Sequence, residues 1–226
     1  MLKRIYNLAL LFTSIFVFAV WTLLGQINTD LISSPVIRYV IMTFISFIFA
    51  YGFFHGSANI AIFLSDRMVL IKKLILGSSY IEGVWVGYSL EKSCTNLDVA
   101  SSVPRYTVRT IEQTMDKITI STKAYNENKL MLSSTTSIAA AIDVSKNTLI
   151  YVSEIVDTGS RKFAYLQLHK NGRSAPDEMN GTVAYSGNEC NREVRAKRLF
   201  DISNEYDSKS LVDEAEKLYK KEMGLL

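Results

Sequence analysis

The chain has only two histidines, His55 and His169, and two cysteines, Cys94 and Cys190. That scarcity leaves no Cys/His cluster with zinc spacing, and in a reducing cytoplasm both thiols stay free. The local signatures of nucleotide hydrolases and esterases are missing too: there is no P-loop and no Gly-x-Ser-x-Gly. Glu154 and Asp157 fall near a strand end without a convincing partner. No catalytic constellation is expected, and no metal or cofactor. A surplus of one charge is also lacking: from Asp66 onward 22 Lys and Arg face 21 Asp and Glu, a net of +1. A duplex binder carries a clear basic stripe, which argues against a DNA or RNA polymer as partner. A small ligand with one or two phosphates needs only a couple of well-placed arginines.

The most telling absence is local. No charged residue occurs from Ile5 to Ile27, and none from Tyr39 to Ser65. Each run exceeds the roughly 20 apolar residues that cross a hydrocarbon core of about 30 Å. The sequence therefore predicts a two-helix transmembrane hairpin with its linker over 1–77, and a soluble domain over 78–226. Lys3, Arg4, Arg67, Lys72 and Lys73 flank the outer ends of the two runs, whereas the short intervening loop has one acid (Asp30) and one base (Arg38). The positive-inside rule then places both termini and the soluble domain in the cytoplasm of a multi-pass protein. A cleaved signal peptide is the competing reading, but no small-x-small site follows the first run. In the second run Gly52, His55, Gly56 and Asn59 share a face at i, i+3, i+4 and i+7. Small residues allow close helix approach and the polar pair can bond across an interface, either within the chain or between copies.

From Tyr80 the pattern changes to Val-, Ile-, Thr- and Tyr-rich segments. Strands are expected near 80–90, 105–113, 117–125, 130–143, 147–156, 162–170, 178–186 and 191–200, separated by turns such as Asn126-Glu127-Asn128-Lys129 and Asn171-Gly172. Eight even strands without intervening helices indicate an up-and-down barrel or a sandwich. A closing helix carries Leu211, Ala215, Leu218 and Tyr219 on one face, a capping-box-like Ser210-Leu-Val-Asp213, an i,i+4 pair of Glu216 and Lys220, and Gly224 as a stop.

Gly83-Val84-Trp85 in the first strand and Arg198 late in the last resemble the pattern of calycin barrels such as lipocalins. That resemblance implies that Trp85 plugs a closed end and Arg198 lies across it as a cation–π partner. The opposite, open rim is then shaped by Arg105, Tyr106, Arg109, Tyr125, Lys162, Tyr165, Tyr185 and Arg192. Parity puts Arg192, Val194, Ala196 and Arg198 on the inward side of the last strand. Tyrosine rings can stack on a nucleobase and guanidinium forks can hold phosphate oxygens. Arg105, Tyr106, Arg109, Tyr165, Tyr185 and Arg192 are the candidate ligand-binding residues. Cys94 and Cys190, in the loops at that rim, could come close.

Two apolar spans, an eight-stranded lipocalin-like barrel with the segment Ile81-Glu-Gly-Val-Trp-Val-Gly87, and no catalytic site together resemble one family. It is the two-transmembrane, β-strand-rich effector family of bacterial cyclic-oligonucleotide antiphage (CBASS) systems. The resemblance implies that a partner nucleotidyltransferase makes a cyclic dinucleotide, that the barrel binds it, and that the protein then homo-oligomerises and disrupts the inner membrane. Two other readings stand beside it: a membrane-tethered calycin that binds a hydrophobic small molecule for transport or sensing, and a scaffold whose filled barrel binds another protein.

Overall fold

The computed structural model describes residues 2–26, 35–93, 103–171, 175–186, 191–199 and 207–225. Cys94 and Cys190 lie outside these residues. The chain divides into two compact units, Met1–Leu76 and Gly77–Leu226.

The first unit is helical: α1 (Leu2–Gln26), α2 (Pro35–Arg67) and α3 (Val69–Leu76). Within α2, Tyr39–Arg67 is long and apolar enough to cross a membrane. The apolar stretch of α1 among the described residues, Ala9–Leu23, is shorter. Of the two expected spans, α2 alone meets that length among the described residues. The helices α1 and α2 meet through aromatic rings, with Phe16 stacked on Phe53 at 4.1 Å between centroids and Tyr6 on Phe54 at 6.1 Å.

The second unit opens on a single 3₁₀ turn, Gly77–Ser79, and continues as eight strands and a helix. The strands are β1 (Gly83–Ser93), β2 (Arg105–Gln113), β3 (Ile118–Tyr125), β4 (Met131–Asp143), β5 (Thr148–Ile155), β6 (Arg161–His169), β7 (Glu178–Tyr185) and β8 (Asn191–Leu199), followed by α4 (Ser208–Glu222). Each strand pairs antiparallel with the next, and β8 returns to β1 to close a barrel. Of the two architectures open from the sequence, barrel and sandwich, the chain adopts the barrel. Closure removes the unpaired edges that a sandwich must protect.

Alternation builds the two faces. In β6, Lys162, Ala164, Leu166 and Leu168 are buried while Arg161, Phe163 and Tyr165 point outward. One half of the interior is filled by Trp85, Ile111, Ile120, Leu149, Leu166, Met179 and Val194, all 1 % exposed or less. Eight strands leave an interior just wide enough for such side chains. A second apolar cluster lies outside the barrel, where α4 covers β1 and β2: Val86, Tyr88, Tyr106, Val108 and Tyr125 pack against Leu211, Val212 and Ala215. Asp207 caps α4, its side chain accepting a hydrogen bond from the Ser210 backbone N–H. The expected capping box at Ser210 is therefore displaced, because the helix begins one turn earlier. Lys220 pairs with Glu216 at 2.7 Å, and Gly224 takes a positive φ of 68° just beyond the helix.

Candidate functional site

One end of the barrel is closed around Arg198. Its guanidinium lies 4.7 Å from the centre of the Tyr80 ring and 6.0 Å from that of Trp85, and donates to the Tyr80 and Glu82 carbonyls. Gly83 makes room for it: a Cβ there would stand 3.3 Å from Arg198 Nε, at a φ of 134° that side chains rarely adopt. Trp85 Nε1 donates to the Ile81 carbonyl at 2.9 Å. Buried Gln113 accepts from Ile81 N–H and donates to the Ser79 carbonyl, both at 2.9 Å. The structure thus brings Trp85 and Arg198 together across the β1–β8 seam, where they are direct cross-strand partners.

The other end is different in kind. There the strands point Arg105, Arg109, Lys162 and Arg192 into the interior, together with Tyr151, Tyr185 and the hydroxyls of Ser89, Thr107, Thr122, Thr135 and Ser153. Four cations from β2, β6 and β8 line one space, and its described lining holds no carboxylate. Glu91 pairs with Arg192 at 2.9 Å, and Arg192 also donates to Ser89 Oγ at 3.3 Å. Lys162 sits 4.8 Å from the centre of the Tyr185 ring. Burial, reinforced by repulsion from Arg105, Arg109 and Arg192, pulls its ammonium pKa down to about 8. Burial also lowers the pKa of Arg192, and Arg105 adds to the effect.

Arg109 carries the clearest signal. It is 2 % exposed, and its Nε and Nη1 have no hydrogen-bond partner. The hydroxyls of Thr107 and Thr122, in the same lining, are also buried and unpartnered. A buried donor without an acceptor costs about 1–3 kcal/mol, more when it is charged. An anion that reached such a cluster would offset this cost. The remaining space is about 40 Å³.

The expected rim residues separate into two groups. Arg105, Arg109, Lys162, Tyr185 and Arg192 line the interior. Tyr106 and Tyr125 do not, because their parity turns them outward beneath α4, where Tyr106 meets Tyr219 at 6.3 Å between ring centres. Tyr165 also faces outward, 53 % exposed. These are corrections to the expected ligand mouth, and their cause is strand alternation. A residue beside an inward arginine in sequence faces the other way. Sequence reasoning passed over the hydroxyls of Thr107 and Thr122; Thr107 is two residues from both Arg105 and Arg109, so parity was the available signal.

In the helical unit, Gly52 and Gly56 line an apolar groove of about 660 Å³ with Phe12, Phe16, Phe49 and Phe53. A Cβ at either glycine would meet nothing within 4 Å, so neither glycine is used for close approach of α1. His55 and Asn59 are exposed, and His55 contacts the rings of Tyr51 and Phe54 along its own helix.

No protein-family model matches the chain, and no curated protein or solved structure matches it either.

Proposed function

We propose that this protein is a membrane-anchored receptor for a cyclic dinucleotide, acting as the effector of an antiphage response. In this reading α1 and α2 both span the inner membrane, and both termini and the barrel are cytoplasmic. A partner nucleotidyltransferase makes the ligand. Binding drives self-association and the helices then breach the bilayer. The observation that carries the reading is Arg109, buried with Nε and Nη1 unpaired among three further cations and two unpaired hydroxyls. A phosphodiester supplies the missing negative charge and acceptors in one group. An apolar ligand would supply neither, and would strand the same donors, so the lining disfavours a carrier of hydrophobic molecules.

Assembly has its own support. On β4–β6, Ile138, Ile150, Phe163 and Tyr165 are about half exposed, on strands that α4 does not cover. The open groove beside Gly52 and Gly56 would admit a helix from a second copy. Ligand must favour the assembled state, since equal affinity for both states shifts nothing.

The test uses the full chain in lipid nanodiscs, with a panel of cyclic dinucleotides and with palmitate. At about 100 times its Kd a cyclic dinucleotide adds roughly 2.7 kcal/mol of stability, read as a raised Tm. In dye-loaded vesicles the same ligand releases the dye. A Tm response to palmitate and to no nucleotide overturns the reading. Protease added outside intact spheroplasts should leave the barrel whole; its digestion would place the receptor on the wrong side of the membrane for an intracellular messenger.

A further inference from the structure

We propose that the barrel interior is a socket for a single phosphate group, gripped by Arg105, Arg109, Lys162 and Arg192, while the rest of the ligand stays outside the barrel. The inference rests on the reading of this interior as the ligand site and adds what enters it and what does not.

Size and chemistry point the same way. Pockets that enclose a whole small molecule measure about 300–1,000 Å³, whereas the cationic space here is about 40 Å³. A base or a ribose does not fit, but a tetrahedral anion of a few heavy atoms does. Below the space the barrel is filled by Trp85, Leu149, Leu166 and other side chains 1 % exposed or less, so nothing can go deeper. The donors are also those a tetrahedral oxyanion needs. The unpaired Nε and Nη1 nitrogens of Arg109 and the hydroxyls of Thr107 and Thr122 come from adjacent strands. They line one space, with Arg109 and Thr122 directly opposite each other across the β2–β3 pair, and a planar, apolar ring would satisfy none of them. Charge density matters as well. Three cations stand beside Arg109 in a described lining without a carboxylate, and Glu91 pairs with Arg192 nearby, so the space carries a net positive field. A compact anion answers that field best.

Inorganic phosphate on its own should therefore occupy the socket, as should the terminal phosphate of a mononucleotide. A cyclic dinucleotide should enter by one phosphodiester edge and leave its bases at the mouth. The mode of entry is shared, and the source of the phosphate is what the experiment separates.

The full chain in nanodiscs is titrated with inorganic phosphate against chloride at matched ionic strength, and then with a cyclic dinucleotide in the presence and absence of phosphate. Phosphate should raise Tm where chloride does not. At ten times its own Kd it should weaken dinucleotide binding about elevenfold, as one-site competition requires. Arg109→Met should lose the phosphate response while raising the Tm of the empty protein, because an unpaired buried charge is removed. Lys162→Met serves as a second variant with the same expected loss, should the first not fold. If dinucleotide binds tightly but phosphate neither stabilises nor competes, the socket is wrong and the receptor reading survives. If phosphate stabilises through Arg109 and no dinucleotide binds, the socket stands and the receptor reading falls. An undiminished phosphate response in both variants also overturns the socket.

Discussion

Lys162 is where the chemistry of the barrel can be followed most directly. Its ammonium is buried beside three guanidinium groups, and its pKa falls from the ordinary 10.5 to about 8. Because the folded value is the lower one, the unfolded chain holds the extra proton between those two pH values. Stability of the empty protein therefore rises with pH across that window and is lowest below about pH 8. Comparing Tm at pH 7.5 and 9.5, the wild type should gain relative to Lys162→Met. Anion binding should show the opposite dependence, since a bound phosphate favours the charged lysine. For a phosphodiester, whose own charge is constant over this range, affinity should be flat below about pH 8 and should then fall by up to about tenfold per pH unit. Calorimetry at pH 8.5 in buffers of different ionisation enthalpy should record proton uptake on binding, and Lys162→Met should abolish it. That lysine and Arg192 could be placed near the mouth from strand boundaries and parity. Arg105 and Arg109 could be placed at the same rim, but that all four cations turn inward around one small space could not, since β2, β6 and β8 are distant in sequence.

Individual strands and helices were the most legible part of the chain. Every strand begins and ends within three residues of the position that Val/Ile/Thr/Tyr runs and turn residues indicate, because local β propensity and turn chemistry agree along this stretch. Register was harder. The outward turn of Tyr106, Tyr125 and Tyr165 depends on which parity each strand presents to the core, and an alternating pattern with tyrosine on both faces does not announce it. The cap of α4 was shifted for a related reason: Asp207 and Ser210 both suit a helix start, and the hydrogen bond from Ser210 N–H to Asp207 decides between them. In β1, Gly83→Ala places a Cβ against Arg198 at a left-handed φ. The substitution should cost at least about 1 kcal/mol and lower Tm by about 3 °C or more, loosening the closed end without touching the cationic one. Phosphate affinity unchanged at a lowered Tm is the expected result in thermal and binding measurements on the same preparation.

For the molecule as a receptor, binding and assembly should be separable. Phe163 is half exposed on the outer face of β6, the face opposite to buried Lys162 and Ala164. Phe163→Glu should leave ligand affinity within about twofold, since it alters no lining group. It should reduce ligand-induced association, measured by sedimentation in detergent, because charges are excluded from the core of an interface. Replacing both Gly52 and Gly56 by Leu fills part of the open groove in the helical unit. Vesicle leakage should then drop while the ligand still raises Tm. Leakage that persists at the wild-type rate would show that this groove has no part in breaching the membrane.

Composition and local pattern were enough to establish two uncharged N-terminal runs, eight strands and a closing helix, because each depends on neighbours within a few residues. The resemblance to calycin barrels also allowed Trp85 and Arg198 to be named as partners, since the first and last strands of a closed sheet meet. Closure of the barrel, the burial of Tyr106 under α4 and the assembly of four cations around unpaired donors on Arg109, Thr107 and Thr122 were settled by long-range pairing. A buried charge is costly wherever it stands alone. No single strand reveals that cost, which arises when β2, β3, β6 and β8 are drawn into one ring around the same small space.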